Sequence, residues 1–215
     1  MSLLLIAATA KEIGPAIEWL KGRDDVEILI TGIGIASTTY ALTASLMKKK
    51  PDLVLQAGIG GSFSEDLPPG SLAFIGEDVI ADLGAIEKGE LIDVFDMGFV
   101  ADDQHPYTSR MLVNPHQERY NFDLNFVRGA TINCISSTSQ QVSIIKKKYD
   151  PVIESMEGAA LHYVSLMENI PFLQLRSVSN FTGERNKANW KIKEAVENLN
   201  DKLKEILSAY PKHYT

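Results

Sequence analysis

Three polar side chains stand where chemistry can happen: Glu12, Glu157 and Asn180. Each lies at the end of a buried-looking strand or at the start of the helix that follows one. A carboxylate can take a proton from water and favour a developing positive charge. An amide can donate and accept hydrogen bonds at once. Two carboxylates and an amide therefore suit sugar hydroxyls and a hydrolytic water. They make a poor metal set, since oxygen-only ligands with one carboxamide suit only a weakly held hard cation. The chain has no G-x-S-x-G elbow to activate a serine. Its single cysteine, Cys134, can build neither an internal disulfide nor a thiolate metal site. No metal and no cofactor is expected.

Glu157 belongs to Glu154-Ser155-Met156-Glu157-Gly158-Ala159-Ala160, at the start of a helix reading from Glu157 to Met167. A carboxylate there gains from the helix dipole and from backbone donors left unpaired in the first turn. An acid that only stabilises its own helix is the alternative. Glu12 follows the apolar run Leu3 to Ala8 and precedes Ile13, Ile17 and Leu20 at helical spacing. It can equally be a capping or surface acid. Asn180 closes the strand Pro171 to Ser179.

The elements that must position these groups are near-continuous apolar runs alternating with helices. Besides the first and last, strands are read at Val26 to Thr31, Leu53 to Ala57, Leu72 to Asp82 and Ala130 to Ile135. Such runs are buried on both faces, so the fold is α/β, a largely parallel sheet with helices on either side. In open sheets of this kind ligands bind beyond the carboxyl ends of the strands. Gly32-Ile33-Gly34-Ile35-Ala36-Ser37 resembles a dinucleotide fingerprint, but Ser37 holds the third glycine position and Asp52 precedes a strand instead of ending one. With Gly58-Ile59-Gly60-Gly61 it gives two glycine turns on one edge, a floor of bare backbone for a flat or sugar-like ligand. Glycines that merely let the chain turn are the alternative.

Residues 83–128 sustain neither period and read as a lid or a partner-contacting loop, with room for a short element around Met111 to Val113. Cys134, inside an apolar run, is expected to be buried. Lys146-Lys147-Lys148 read as the solvated end of a helix. A last helix from about Ala188 carries Ile192, Ala195, Val196, Leu199, Leu203, Ile206 and Leu207 on one stripe.

The 215 residues suffice for one domain, 1–215, with a full core. A formal charge of -7 argues against nucleic acid as a partner. The first apolar run has no basic leader and is too short to span a bilayer, so no membrane partner and a cytoplasmic location are expected.

Met156-Glu157-Gly158-Ala159-Ala160, followed by a strand ending Arg176-Ser177-Val178-Ser179-Asn180, resembles the purine nucleoside phosphorylase and nucleosidase superfamily. Thr31-Gly32-Ile33-Gly34 and Ala57-Gly58-Ile59-Gly60-Gly61 match its glycine turns. Within it, Ser179 to Asn186 with Trp190 beyond looks most like the futalosine hydrolase family of the alternative menaquinone route. The resemblance implies a three-layer αβα sandwich around a mixed, largely parallel sheet, and a homo-oligomer. It implies hydrolysis of an N-glycosidic bond through an oxocarbenium-like transition state. Glu12 would activate water, Glu157 would hold the ribose 2′ and 3′ hydroxyls, and Met156 would pack on the sugar. The implied binding set also takes in Ala8, Ile33, Ile59, Gly60, Gly61, Ser137, Thr138, Ser179, Phe181 and Arg185.

Two departures bear on the substrate. Methylthioadenosine and adenosylhomocysteine nucleosidases carry an aspartic acid where this chain has Asn180. An asparagine NH2 donates to nitrogen 7 and a 6-carbonyl oxygen, and leaves an adenine amino group facing the wrong partner, at about 1–3 kcal/mol. A 6-oxopurine nucleoside is therefore the expected small-molecule partner. The position that usually offers a stacking phenylalanine is Ser137, for which Phe181 or Trp190 can substitute. Neither Leu55-Gln56-Ala57 before the second glycine turn nor the turn after the first strand brings the arginines that a phosphate co-substrate needs, which favours hydrolysis over phosphorolysis. The benzoate of futalosine calls for a cation, with Arg110, Arg185 and Lys187 as candidates. An adenine-type nucleosidase, a phosphorylase and a non-catalytic nucleoside-binding protein are the other readings.

Overall fold

A computed structural model of the chain describes residues 2–120 and 122–210. The strands are β1 (Leu3–Ala7), β2 (Val26–Ile30), β3 (Leu53–Ser62), β4 (Leu72–Asp78), β5 (Gly84–Glu87), β6 (Glu90–Asp93), β7 (Leu112–Val113), β8 (Phe126–Thr131), β9 (Ile153–Ser155) and β10 (Phe172–Phe181). The helices are α1 (Gly14–Trp19), α2 (Ile35–Leu46), α3 (Ser139–Tyr149), α4 (Gly158–Glu168) and α5 (Ile192–Ala209).

Alternation along β1 shows why its run is apolar throughout. Leu3, Leu5 and Ala7 pack into one core with Ile13 and Ala16 beside α1 and Leu199, Leu203 and Ile206 of α5. Leu4 and Ile6 pack into another with Leu42 and Leu46 of α2 and Leu161 and Val164 of α4. Successive side chains point to opposite faces, so both faces are buried and helices cover each. The result is a mixed α/β sheet between helical layers.

The sheet runs β2-β1-β3-β10-β4-β8-β9. β1 pairs in parallel with β2 and β3, and β3 with β10. β10 meets β4 antiparallel, β4 and β8 are parallel, as are β8 and β9, and β9 returns antiparallel to β3. Strands β3, β10, β4, β8 and β9 thus close on themselves, which gathers their ends around a common opening.

The structure differs from the sequence reading in several places. β3 runs on through Gly58 to Gly61 and ends at Ser62, so the second of the expected glycine turns is strand, and β4 stops at Asp78 instead of Asp82. β8 ends at Thr131, four residues short of the expected Ile135; Ile132 is buried, but the chain then turns outward, with Asn133 held by Asp82 and Cys134 exposed. The last helix begins at Ile192, after a single 3₁₀ turn at Lys187–Asn189. The segment read as a lid is instead packed structure. It holds the β5–β6 hairpin, β7 and a 3₁₀ turn, and Tyr120 and Phe122 join the α1/α5 core.

His162 of α4 is fully buried, with Nδ1 2.8 Å from the Leu112 carbonyl and its ring against Phe172. Burial pushes its pKa down from 6.5 to about 3. The unfolded chain takes a proton below pH 6.5 that the fold refuses. His162 therefore costs no stability above pH 6.5 and costs ~1.4 kcal/mol per pH unit as the pH falls toward about 3. His162→Phe is expected to flatten the fall in stability between those limits, read as urea midpoints against pH. Parallel curves for the variant and the parent would refute the assignment.

Candidate active site

A cavity of about 410 Å³ opens beyond the carboxyl ends of β1, β3 and β10, a volume in the range of small-molecule sites. Ala8, Glu12, Ile33, Ile59, Gly60, Gly61, Met156, Glu157, Ser179 and Asn180 all line it. Its charged lining residues are Lys11, Glu12, Glu154 and Glu157.

Glu12 sits in the turn after β1. Its Oε2 accepts the backbone N–H and the hydroxyl of Thr9, each at 3.0 Å. Its Oε1 accepts the N–H of Ile59 at 3.2 Å. Three donors from two strand ends fix the carboxylate, and the turn continues into α1, where Asn200 of α5 holds the Glu12 carbonyl.

Glu157 immediately precedes α4, yet it does not cap that helix. The first amides of α4 are met by hydroxyls: Gly158 N–H by Ser155 Oγ and Ala159 N–H by Thr131 Oγ1 at 2.7 Å. This leaves the Glu157 carboxylate for other partners. Oε1 accepts the N–H of Gly34, which opens α2, at 3.1 Å. Gly34 has φ 89, a left-handed conformation that favours glycine. Oε2 lies 3.6 Å from Nη1 of Arg176, an ion pair longer than a hydrogen bond. Arg176 is itself buried, donating to Gln174 Oε1 at 2.9 Å and Gln56 Oε1 at 3.0 Å. Gln174 leads on to Asp78, whose carboxyl burial pushes up to about 6.

Asn180 is 8% exposed at the end of β10. Its Nδ2 donates to the Phe181 carbonyl at 2.8 Å, which fixes the amide orientation. Oδ1 then accepts the hydroxyl of Ser179 at 2.7 Å. One N–H of the amide remains for a ligand. The pairing of β10 with β3 slips between Val178 and Asn180. This bulge turns both Ser179 and Asn180 to the cavity, where strict alternation would turn only one.

Four expected residues lie elsewhere. Thr138 caps α3 through a capping box with Gln141, and Ser137 donates to the same Gln141 side chain. Phe181 points outward, and Arg185 lies against the ring of Trp190. Trp190 does line the cavity, anchored by Nε1 donating to the Glu184 carbonyl. Thr9, Lys11, Ile135, Glu154, Ser155, Ile192 and Val196 also line it. Ile192 and Val196 belong to the apolar stripe of α5, whose first turn faces the cavity instead of the core. Lys11, next to Glu12, was recoverable from its place in the same strand-end turn. Among the described residues, no cluster of three or more His, Cys, Asp or Glu side chains could hold a metal ion, and no helix is long and apolar enough to cross a membrane.

A futalosine hydrolase of Streptomyces coelicolor is 31% identical, covering 93% of this chain and 87% of its own length. A 5′-methylthioadenosine/S-adenosylhomocysteine nucleosidase of Maridesulfovibrio salexigens is 27% identical, over 73% and 68%. The native structure of futalosine hydrolase of Helicobacter pylori shares the fold, with a TM-score of 0.78 at 17% identity and 97% of each chain covered. Residues 14–211 match the phosphorylase superfamily, and the chain belongs to it.

Proposed function

We propose that the chain is a futalosine hydrolase, an N-glycosidase that releases hypoxanthine and dehypoxanthine futalosine. The observation that carries this reading is the Asn180 amide. Its orientation is fixed so that the group left for a ligand is an N–H, which suits the acceptor edge of a 6-oxopurine. The name of the 31%-identical relative supports the same substrate.

Glu12 is the general base. As the C1′–N9 bond breaks and positive charge grows on the sugar, its carboxylate takes a proton from the attacking water and stabilises that charge. The electron pair of the broken bond leaves with the purine, where the Asn180 N–H meets the charge building at nitrogen 7 and the 6-oxygen. Glu157, held by Gly34 and Arg176, accepts the ribose 2′ and 3′ hydroxyls, and Met156 packs on the sugar face. The purine takes its replacement proton from solvent. Arg110 is occupied by Asp96 and Asp102, and neither Arg185 nor Lys187 lines the cavity. Lys11 is therefore the cation for the substrate carboxylate.

On the same reading the protein acts in menaquinone biosynthesis, in the cytoplasm, as a homo-oligomer. Exposed Tyr40 on α2 and Met47 just after it support the last point.

Glu12→Gln is expected to lower hypoxanthine release by about 10²–10⁴-fold with ligand binding still measurable; normal turnover would exclude Glu12 as the base. A Cβ at Gly58 would lie 2.4 Å from Arg176 Nη1 and 3.1 Å from Glu12 Oε1. Gly58→Ala should therefore fold, lose about 1–3 kcal/mol of stability and lose at least tenfold in kcat. Unchanged kcat would mean that the Arg176–Glu12 spacing is immaterial. The decisive assay uses purified protein without phosphate, comparing hypoxanthine release from futalosine with adenine release from methylthioadenosine. Faster adenine release would establish an adenine-type nucleosidase instead, and a requirement for phosphate would make the protein a phosphorylase.

A further inference from the structure

Asp78 is a fully buried acid that none of the roles above uses. It ends β4 and is not among the residues that line the cavity. Its Oδ1 accepts the backbone N–H of Val79 at 2.8 Å and the hydroxyl of Thr131 at 2.9 Å. Its Oδ2 accepts Nε2 of Gln174 at 3.0 Å. Burial raises its pKa to about 6, so at neutral pH the group is ionised and can only accept. Keeping a charge in the core is costly unless its partners offset it.

An acceptor of this kind imposes an orientation on an amide. Gln174 Oε1 and Nε2 exchange places by a half-turn of the terminal torsion. The Asp78 carboxylate allows only one of the two settings, with Nε2 toward itself. Oε1 is thereby left facing Nε of Arg176, at 2.9 Å. In the other setting Gln174 would turn its NH2 on the guanidinium, donor against donor. Gln56 also accepts from Arg176, at 3.0 Å, but its own Nε2 meets no partner, so nothing behind it fixes its amide. Gln174 is the locked acceptor, and the guanidinium it holds stands 3.6 Å from Glu157 Oε2.

The same carboxylate reaches Glu157 by a second route. Thr131 gives its one hydroxyl hydrogen to Asp78 and so presents a lone pair to the N–H of Ala159, in the first turn of α4. Gly158 lies between Glu157 and Ala159, against the contact of Asp78 with Gln174. A Cβ there would collide with Asp78 Oδ2 and Gln174 Oε1. Asp78 thus fixes both the backbone that carries Glu157 and the guanidinium that its carboxylate faces. We propose that Asp78 is a positioning residue for the ribose grip, acting on Glu157 through the Gln174 amide and Arg176. The inference rests on the reading of Glu157 as acceptor of the ribose hydroxyls.

The test compares kcat/KM for hypoxanthine release from futalosine and from its 2′-deoxy analogue, which offers Glu157 one hydroxyl fewer. Asp78→Asn exchanges an acceptor oxygen for a donor, so the three groups around it can no longer all be met. It is expected to lose about 10- to 100-fold on futalosine and less than about threefold on the analogue. Adding Gln174→Glu moves the carboxylate next to Arg176 and gives it the new amide as donor. This double variant is expected to return to within about fivefold of the parent on futalosine. Gln174→Met keeps Asp78 but cuts its link to Arg176, and should show the same selective loss as Asp78→Asn. Equal loss on both substrates, the result of a merely structural role, overturns the proposal, as does a double variant no better than Asp78→Asn alone. Unaltered selectivity in Gln174→Met overturns it even where Asp78→Asn does not fold. Glu157→Gln sets the scale, since equal loss on both substrates there refutes the grip on which the proposal rests. Failure of the functional reading appears first and separately, as a parent protein that releases no hypoxanthine from futalosine.

Discussion

A guanidinium that is 1% exposed must be met by acceptors on every side, and the arrangement around Arg176 sets most of the site. Gln174 and Gln56 take two of its edges, and Glu157 completes the third at ion-pair distance. Gln174 in turn donates to Asp78, and Asp78 accepts the hydroxyl of Thr131. Thr131 Oγ1 then accepts the Ala159 N–H in the first turn of α4. One continuous chain of polar contacts thus runs from the closed part of the sheet to the helix behind Glu157. Removing Arg176 would leave a buried carboxylate uncompensated, a loss of about 3–5 kcal/mol. The arginine lies deep enough that its work is to hold Glu157, whose carboxylate is the part the cavity sees.

That hold depends on a division of labour among donors. An acid at the start of a helix ordinarily spends itself on its own first turn. Here Ser155 and Thr131 hydroxyls satisfy that turn, and the acid reaches instead to the amide that opens α2. The amino end of α2, and not that of α4, therefore donates to this carboxylate. Glu12 is fixed in a comparable way by amides from two strand ends. Rigid anchoring of both acids by backbone donors keeps reacting groups in register, and proximity of this kind is a large share of what a hydrolytic site can offer.

How legible this was in the sequence depends on what each segment buries. β1 and β10 are covered on both faces, so their runs are almost unbroken and their ends are legible to within about two residues, along with Glu12, Glu157 and Asn180. β3 instead runs past Ala57 to Ser62, because Gly58 to Ser62 keep its pairing with β10. β8 was misplaced because Arg128 interrupts it, paired with Glu77 at the surface, while Ile132 and Ile135 extend an apolar pattern past its end. The β5–β6 hairpin was missed although Lys88 and Gly89, with φ 52 and 85, form the kind of turn that joins two strands directly. Thr138, a ligand contact by resemblance, forms with Gln141 three residues on a capping-box pattern that points to its structural role. The bulge at Ser179 had no sequence signal, because it arises from how distant strands meet.

The charge of the cavity bears on which nucleophile it accepts. Its lining brings together the side chains of Glu12, Glu154 and Glu157 against that of Lys11. The donors of Arg176 are already directed at Gln174, Gln56 and Glu157. A phosphate dianion at the anomeric carbon would sit beside Glu12. At an effective dielectric of ~20, two unit charges about 4 Å apart repel by roughly 4 kcal/mol, and no free guanidinium among the described lining residues offsets this. Water carries no such penalty and gains from a base beside it. The same carboxylate that repels phosphate attracts the oxocarbenium sugar, so a single group both admits the neutral nucleophile and stabilises the cation that it attacks.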